Sequence, residues 1–546
     1  RTGRPPSLAS RGMVSTPHYL ASGSGLEALR RGGSAVDAAV AAGATLCAVY
    51  PHMTGLGGDG FWLVAGPDTG GVQALNASGP SAQDATIDYY RQHGCEHAIP
   101  ARGALAALTV PGVVDGWRAA HERFGRLPWA DLFADAIDYA RKGMPISRSL
   151  ADFLAQDAPI LRESPGMARV YLPTGKPERE GSRLVQTDLA NTLEELAASG
   201  ARAGFYEGTL PERVCASLGP TGSPLKPEDF AAYRAAWVEP MSTRYRGFDV
   251  IQLPPSTQGF AALQILNLLE RFDVAGWREG SADYYHHIVE AVKLAFADRD
   301  EWLTDPDFVD IPLERLLSPG YVEERLALID PRRALGADAI EPGLRYGSEF
   351  GHRSPEGGTV YFCTADADGL VVSSIESIYH DFGAAVIGGD TGVNLQNRGS
   401  FFSLDENHPN RLEPRKRSFH TIIPAMMLKE GQPVLAYGTM GGEGQPQTQA
   451  ALVTRMVDFG FDVQQAIEAP RWLMGRTWGT ETRLLSLESR IPEEVARELT
   501  LRGHDVQIVG AWDQTIGHAQ AIRINADSGF FEGGADPRGD GAALGF

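Results

Sequence analysis

The stretch 341–358, EPGLRYGSEFGHRSPEGG, constrains this chain more than any other. It has no apolar periodicity and is dense in Gly, Pro, Ser and charge, which marks an exposed loop and the clearest boundary in the sequence. A strand begins at once on its far side. Val360 and Phe362 belong to a first strand, Asp366-Ala-Asp368-Gly369 to a tight turn and 370–375 to a second strand, so the pattern predicts a β-hairpin that opens one residue after the loop.

Before that boundary the pattern is mostly helical. Residues 19–31, closed by Gly32-Gly33, and 35–50, behind Ser34 as N-cap, read as helices. The second is small and apolar throughout, as a helix buried on most sides would be. Gly55-Leu-Gly57-Gly58-Asp59-Gly60 then leads into a compact apolar strand, 61–64. From about 100 to 345 helices dominate, with regular apolar spacing in 188–199 and at Ile288, Ala291, Val292, Ala295 and Phe296. After the hairpin, strand 433–437 runs into Gly438-Thr-Met-Gly441-Gly442, and 445–459 is a helix. Strands alternating with helices and long insertions predict an α+β or layered α/β/β/α arrangement, without internal repeats.

A chain of 546 residues can hold several ordinary domains or one large layered one. With 43% apolar and 22% charged residues it is globular, which excludes disorder. Its formal charge of −20 repels polyphosphate and anionic lipid, so nucleic acid is excluded as a partner. Cys47, Cys95, Cys215 and Cys363 are far apart and show no C-x-x-C spacing, so neither a zinc site nor a disulfide framework is expected. The most apolar run, 35–50, is interrupted by Asp37 and Gly43 and is too short to span a bilayer. The expected location is cytoplasmic, or periplasmic if a leader was removed ahead of Arg1.

Three motifs carry little chemistry. Gly55 to Gly60 matches G-x-G-x-x-G, but a dinucleotide fingerprint leaves a strand and opens a helix, the reverse of the order here. His286-His287 with Glu290 lacks H-E-x-x-H spacing and reads as a capping or core group. Ser24, in G-S-G, lacks the strand that precedes a nucleophile elbow and reads as a helix-start residue. The junction Gly357-Gly358-Thr359 differs from these. A hydroxyl at the head of a strand, directly behind a glycine-rich loop, can attack its own preceding carbonyl and leave a new N-terminal threonine, whose free α-amine serves as base for the hydroxyl. The same threonine can also be there only for its β-propensity. Gly441-Gly442, between a strand end and a helix start, can present backbone N–H groups to an oxyanion or form an ordinary turn.

Eight blocks in order resolve the choice. GLGGDGFW at 55–62, TVPGVVDGW at 109–117, PPSTQGF at 254–260, FADRDEWLTDPDF at 296–308, the T-x-x-x-C-x-x-D-x-D-G hairpin from Thr359, PRKRSFHTIIPAM at 414–426, GTMGGEGQPQ at 438–447 and DPRGDG at 536–541 resemble the γ-glutamyltransferase family of N-terminal nucleophile hydrolases. The resemblance covers nearly the whole chain. It implies a four-layer αββα sandwich and self-cleavage between Gly358 and Thr359, giving a large subunit (1–358) and a small one (359–546) that together form one globular unit. It also implies an acyl-enzyme on Thr359, an oxyanion hole at Gly441 and Gly442, and Ser377 as the second hydroxyl that bonds the Thr359 amine. No metal or organic cofactor is implied. The partners implied are a small-molecule amide and the two subunits of one precursor, with a dimer of such heterodimers possible.

The departures bear on substrate. The places where the family holds the α-amine and α-carboxylate of a glutamyl group correspond here to Tyr379, Phe401 and His420-Thr421, and the family's large-subunit arginine has no clear match. Phenylalanine in place of an aspartate removes the counter-ion of an ammonium, so a glutamyl substrate would bury a charge unpaired unless water or Glu376 reaches it. The QNRG and HMTGLGGD blocks resemble the branch with glutaryl-cephalosporin acylases and oxamate amidohydrolase. Arg398 and Arg102 are candidates for pairing with an acyl carboxylate. An autoprocessing amidohydrolase of short acidic acyl amides is therefore the expected function, with a γ-glutamyltransferase or glutathione hydrolase next, and an uncut, inert binding module as the reading of another class.

Overall fold

Strand alternation builds the layers. In the strand Asp59–Ala65, Phe61, Leu63 and Ala65 join one apolar core while Trp62 and Val64 join another. In Gly358–Asp366, Tyr361, Cys363 and Ala365 join the first core, and Val360 and Phe362 the second. A strand buried on both faces must lie between two layers. The computed structural model, which describes residues 3–336, 340–346, 358–475, 482–525 and 527–546, shows this arrangement. One seven-stranded sheet runs Ala542–Gly545, Gly12–Thr16, Gly358–Asp366, Val371–Tyr379, Asp59–Ala65, Gln73–Ala77, Ala236–Val238; the other runs Ser7–Ala9, Phe531–Ala535, Ala519–Ile524, Gln432–Thr439, Ala425–Lys429, Phe248–Gln252, Met241–Tyr245. Every pairing within both sheets is antiparallel. Their facing sides share a core of Met13, Phe61, Tyr361, Met426, Ala436 and Ile522. Helices cover both outer faces, among them Ala35–Val49 and Val113–Phe124 on the first sheet and Gly259–Leu269, Ala282–Trp302 and Gly444–Val457 on the second. The expected αββα sandwich is the fold found.

Helix Ala35–Val49 is buried at every residue. Asp37, which interrupts its apolar run, closes a capping box with Ser34 and accepts the N–H groups of Arg126 and Leu127 at 2.8 and 3.1 Å. Two details correct the sequence reading. Ser24 lies inside helix Tyr19–Arg30, where its hydroxyl donates to the Leu20 carbonyl at 3.2 Å; the N-cap is His18. The mostly helical region before 345 also contributes the strands Met241–Tyr245 and Phe248–Gln252. Of the loop expected at 341–358, residues 347–357 lie outside the described residues. No helix among the described residues is long and apolar enough to cross a membrane.

Candidate active site

Thr359 stands at a register slip. Gly358 pairs with Tyr379 but Val360 pairs with Glu376, so the hairpin bulges at the residue between them, and a bulge re-aims a side chain. The Thr359 hydroxyl donates to Ser377 Oγ at 3.2 Å. Ser377 Oγ donates in turn to the Gly358 carbonyl at 2.7 Å, and it receives the Tyr379 N–H at 2.9 Å and Arg398 Nη2 at 3.0 Å. A hydroxyl has one proton and two lone pairs, so four contacts compete for three places. The bond from Thr359 is the longest of the four and the one most easily given up.

The GLGGDG block explains why Ser377 can sit there. A Cβ on Gly58 would lie 2.5 Å from the Ser377 carbonyl oxygen, and one on Gly57 would lie 2.1 Å from that of Asn394. The block is a close-packing device, and its phosphate-loop spelling is incidental. Asp59 pairs with Ser377 across the sheet. Its Oδ1 accepts the N–H groups of Gly79 and Gly112 at 3.0 and 3.1 Å, and its Oδ2 lies 3.0 Å from His420 Nε2. Burial pushes the His420 imidazole below its ordinary value against the pull of Asp59.

Arg398 closes the other side of Ser377. It is fully buried, with its guanidinium carbon 4.5 Å from the Tyr379 ring centroid and 5.6 Å from that of Phe401. The three rings of Tyr379, Phe401 and Phe419 line up in a tilted column, with centroids 4.2 and 4.0 Å apart and planes 39° and 35° from parallel. Burial lowers Arg398 to about 10, partly offset by Tyr379 and Asp59, so it is still a cation at neutral pH. Its Nε and Nη1 have no hydrogen-bond partner among the described residues. Buried donors without partners are costly and uncommon in native proteins.

The turn at Gly441-Gly442 joins the strand Gln432–Thr439 to the helix Gly444–Val457, and φ values of +130° and +50° suit glycine at both positions. Just upstream, a Cβ on Gly438 would fall 2.4 Å from the Tyr361 ring, so this strand crosses directly over the strand Gly358–Asp366 that carries Thr359. Gln258 fixes the turn: its Nε2 donates to the Thr421 carbonyl at 2.5 Å and the Gly442 carbonyl at 3.1 Å, while its Oε1 accepts Arg299 Nη1 at 3.1 Å. Four of the sequence blocks therefore meet here.

The fold thus gathers Thr359, Ser377, Tyr379, Arg398, Phe401 and His420 into one cluster and ties Thr421 and Gly442 together through Gln258. Arg102 Nη1 donates to the Asp381 and Gly383 carbonyls and so secures the turn after the hairpin, next to the residue that stands beside Gly358. Glu376 faces away from the site. It neighbours Ser377 in the strand, so it points to the opposite face, where it accepts Trp117 Nε1–H at 2.6 Å against Gly43. It is not available to a substrate amine. Sequence reasoning missed Asp59, Gln258 and Arg299, although each lies in a quoted block; a lone carboxylate among four glycines was the available signal for Asp59. It also missed Asp381, whose Oδ1 lies beside Gly358, 3.1 Å from where a Cβ would stand. His286 is a core group, with Nδ1 2.9 Å from His504 Nε2 and Nε2 2.7 Å from the Asp330 carbonyl.

An αββα sandwich with a threonine hydroxyl at the head of an inner strand, behind a glycine junction, defines the class of N-terminal nucleophile hydrolases, and the chain is an amide-bond hydrolase of that type. The gamma-glutamyltranspeptidase family matches residues 21–546, and the chain belongs to it. It is 47% identical to the glutathione hydrolase-like YwrD proenzyme of Bacillus subtilis, over 98% of this chain and 99% of that one. It is 42% identical to the oxamate amidohydrolase proenzyme of Klebsiella pneumoniae, over 99% of each. The crystal structure of a cephalosporin acylase from Bacillus halodurans superimposes with a TM-score of 0.92 at 35% identity, covering 100% of this chain and 98% of that one.

Proposed function

We propose that this protein matures by cutting itself before Thr359, into 1–358 and 359–546, and then hydrolyses the amide bond of a short acidic acyl amide, glutaryl- or oxamate-like, through an ester on Thr359. One observation carries this reading: a fully buried arginine with two unpartnered nitrogens is bonded to the same serine that receives the nucleophile's hydrogen bond. A carboxylate is the natural partner for such a guanidinium. The aromatic column of Tyr379, Phe401 and Phe419 offers no counter-ion for an ammonium at the positions where the family resemblance would put one.

In the continuous chain, Thr359 Oγ attacks the Gly358 carbonyl carbon, whose oxygen is already hydrogen-bonded by Ser377. The C–N bond breaks as the nitrogen takes a proton, and water hydrolyses the resulting ester to a Gly358 carboxylate and a free Thr359 amine. In turnover, that amine accepts the Thr359 hydroxyl proton as Oγ attacks the substrate carbonyl, and the Gly441-Gly442 turn supplies N–H groups to the oxyanion. The leaving amine departs with a proton, and water releases the acid. Oxamate amidohydrolase among the similar proteins, whose named substrate has no α-amine, supports an acyl group without one. The second reading is a γ-glutamyl transferase or hydrolase; Asp381, a carboxylate beside Gly358, stands near the Thr359 amine that either reading frees.

The test is denaturing mass analysis of wild type and Thr359→Ala, followed by turnover of glutaryl, oxamoyl and L-γ-glutamyl amides of one amine. Two fragments from wild type and one chain from the variant are expected, with the simple acidic amides preferred by about a hundredfold. Two fragments from Thr359→Ala would overturn the nucleophile. A glutamyl preference that Phe401→Asp leaves unchanged would overturn the acyl group.

A further inference from the structure

We infer that Arg398 promotes the self-cleavage of the chain, as a positioning residue that aims the Ser377 proton at the scissile carbonyl and strengthens the bond made there. This rests on the reading above that the chain is cut before Thr359, and it gives Arg398 a use that precedes any substrate.

The protons around one oxygen decide the arrangement. Ser377 Oγ has one proton to give and two lone pairs to fill. The Tyr379 N–H at 2.9 Å and the Arg398 Nη2–H at 3.0 Å can only donate, and together they fill both lone pairs. The Ser377 proton is left for the Gly358 carbonyl, at 2.7 Å the shortest contact of the set. Thr359 Oγ1, at 3.2 Å, then finds no lone pair free, and its hydroxyl is released for attack. Without the arginine one lone pair reopens, and the nucleophile is engaged as a donor to Ser377.

The second effect is charge. Hydrogen bonds in a chain polarise one another, and the sequence guanidinium N–H to Ser377 O–H to Gly358 C=O puts a cation two hydrogen bonds from the oxygen on which negative charge grows. No ion pair among the described residues draws on that cation: Nη2 is on Ser377, and Nε and Nη1 have no partners. Asp59 acts on it only from a distance, its own oxygens engaged by Gly79, Gly112 and His420. The step takes no proton from Ser377 or Arg398. Thr359 Oγ bonds to the Gly358 carbonyl carbon, the carbonyl oxygen carries the negative charge, and the C–N bond breaks as the proton from Thr359 Oγ arrives on the Thr359 nitrogen. After water has opened the ester, the same guanidinium serves the acyl carboxylate, so its two uses are successive.

The experiment follows full-length chain made in a brief cell-free pulse and reads fragment formation against time by denaturing mass analysis. Wild type is compared with Arg398→Met, Arg398→Lys, Ser377→Ala and the Ser377→Ala/Arg398→Met double variant, with Thr359→Ala as the uncut control. Arg398→Met should slow cutting by about 10–10², and Arg398→Lys should be faster than Arg398→Met by at least about fivefold. Once Ser377 is alanine, Arg398→Met should change the rate by less than about twofold, because the arginine acts through that hydroxyl. An arginine that merely holds the fold would slow both backgrounds alike. Near-UV circular dichroism in the Thr359→Ala background reports whether each variant folds. If Arg398→Met does not, Arg398→Lys against Arg398→Gln decides, a cation against a neutral donor, with lysine faster by at least about fivefold. Arg398→Met cutting at the wild-type rate, equal slowing with and without Ser377, or equal rates for lysine and its neutral counterpart would each overturn the inference while leaving the cut before Thr359 standing. Wild type that stays one chain would overturn both.

Discussion

Glu376 couples the stability of the nucleophile strand to pH. Its side chain is completely buried under the helical layer, and burial raises its carboxyl from 4.5 to about 8, only partly offset by the hydrogen bond from Trp117. At neutral pH it is a neutral acid in the folded protein and a carboxylate in the unfolded chain. The unfolded state then binds fewer protons, so stability is fully present below about pH 4.5, falls by about 1.4 kcal/mol per pH unit above that, and levels off above about pH 8. The whole span amounts to roughly 5 kcal/mol, an upper figure because the denatured chain is not fully solvated. Glu376→Gln keeps an acceptor for Trp117 and cannot ionise, so its own stability should lack this slope. Urea unfolding of both proteins at pH 5, 6.5 and 8.5, in the uncut Thr359→Ala background, reads the difference, since any pH-independent cost of the amide cancels. The carboxylic-acid C=O stretch in the infrared at pH 7, absent from Glu376→Gln, gives a second reading. Parallel pH profiles for the two proteins would show that Glu376 is ionised in the native state and that the burial reasoning fails.

Three further outcomes follow from the site. Ser377→Ala removes the donor to the scissile carbonyl and should slow self-cleavage by about 10²–10³ in a time course of fragment formation; an unchanged rate would show that this hydrogen bond is not used. Gly442→Val should cut kcat by about two orders of magnitude in chain that has matured, and unchanged turnover with a lower melting point would reduce the glycine to its turn. Gly58→Ala drives a methyl into the Ser377 carbonyl, so both melting point and fragment formation should fall, and a variant equal to wild type in both would show that the strand yields freely.

What could be read from the sequence was local. The turn Asp366–Gly369 and the Ser34 cap each lie within one hairpin or helix end, where residue type and spacing carry the geometry, whereas the Thr359–Ser377 pair was legible only through the family resemblance. The strand Gly12–Thr16 escaped notice because it is buried on both faces and shows no alternation. Met241–Tyr245 and Phe248–Gln252 are short, and the second finds its partner at Ala425–Lys429, far along the chain. The same distance hid the site's supports. Asp59 with His420, Gln258 with Gly442 and Arg398 with Ser377 are contacts between separate elements, and no periodicity announces them.

If the chain is cut before Thr359, as proposed, the strand order has a consequence for the life of the enzyme. Gly12–Thr16 is clasped between Gly358–Asp366 and Ala542–Gly545, and Ser7–Ala9 pairs with Phe531–Ala535. Before the cut, each of these pairings closes a loop within one polymer, at the high effective concentration a tether provides. Afterwards they join two polymers whose strands interleave within single sheets. The native form is as well knit as before, yet its recovery from denaturation becomes a second-order reaction, diluted away at low concentration. Heated and cooled, the uncut threonine variant should regain its fold at a rate independent of its concentration, while the mature pair should regain it at a rate that rises with how much of each half is present.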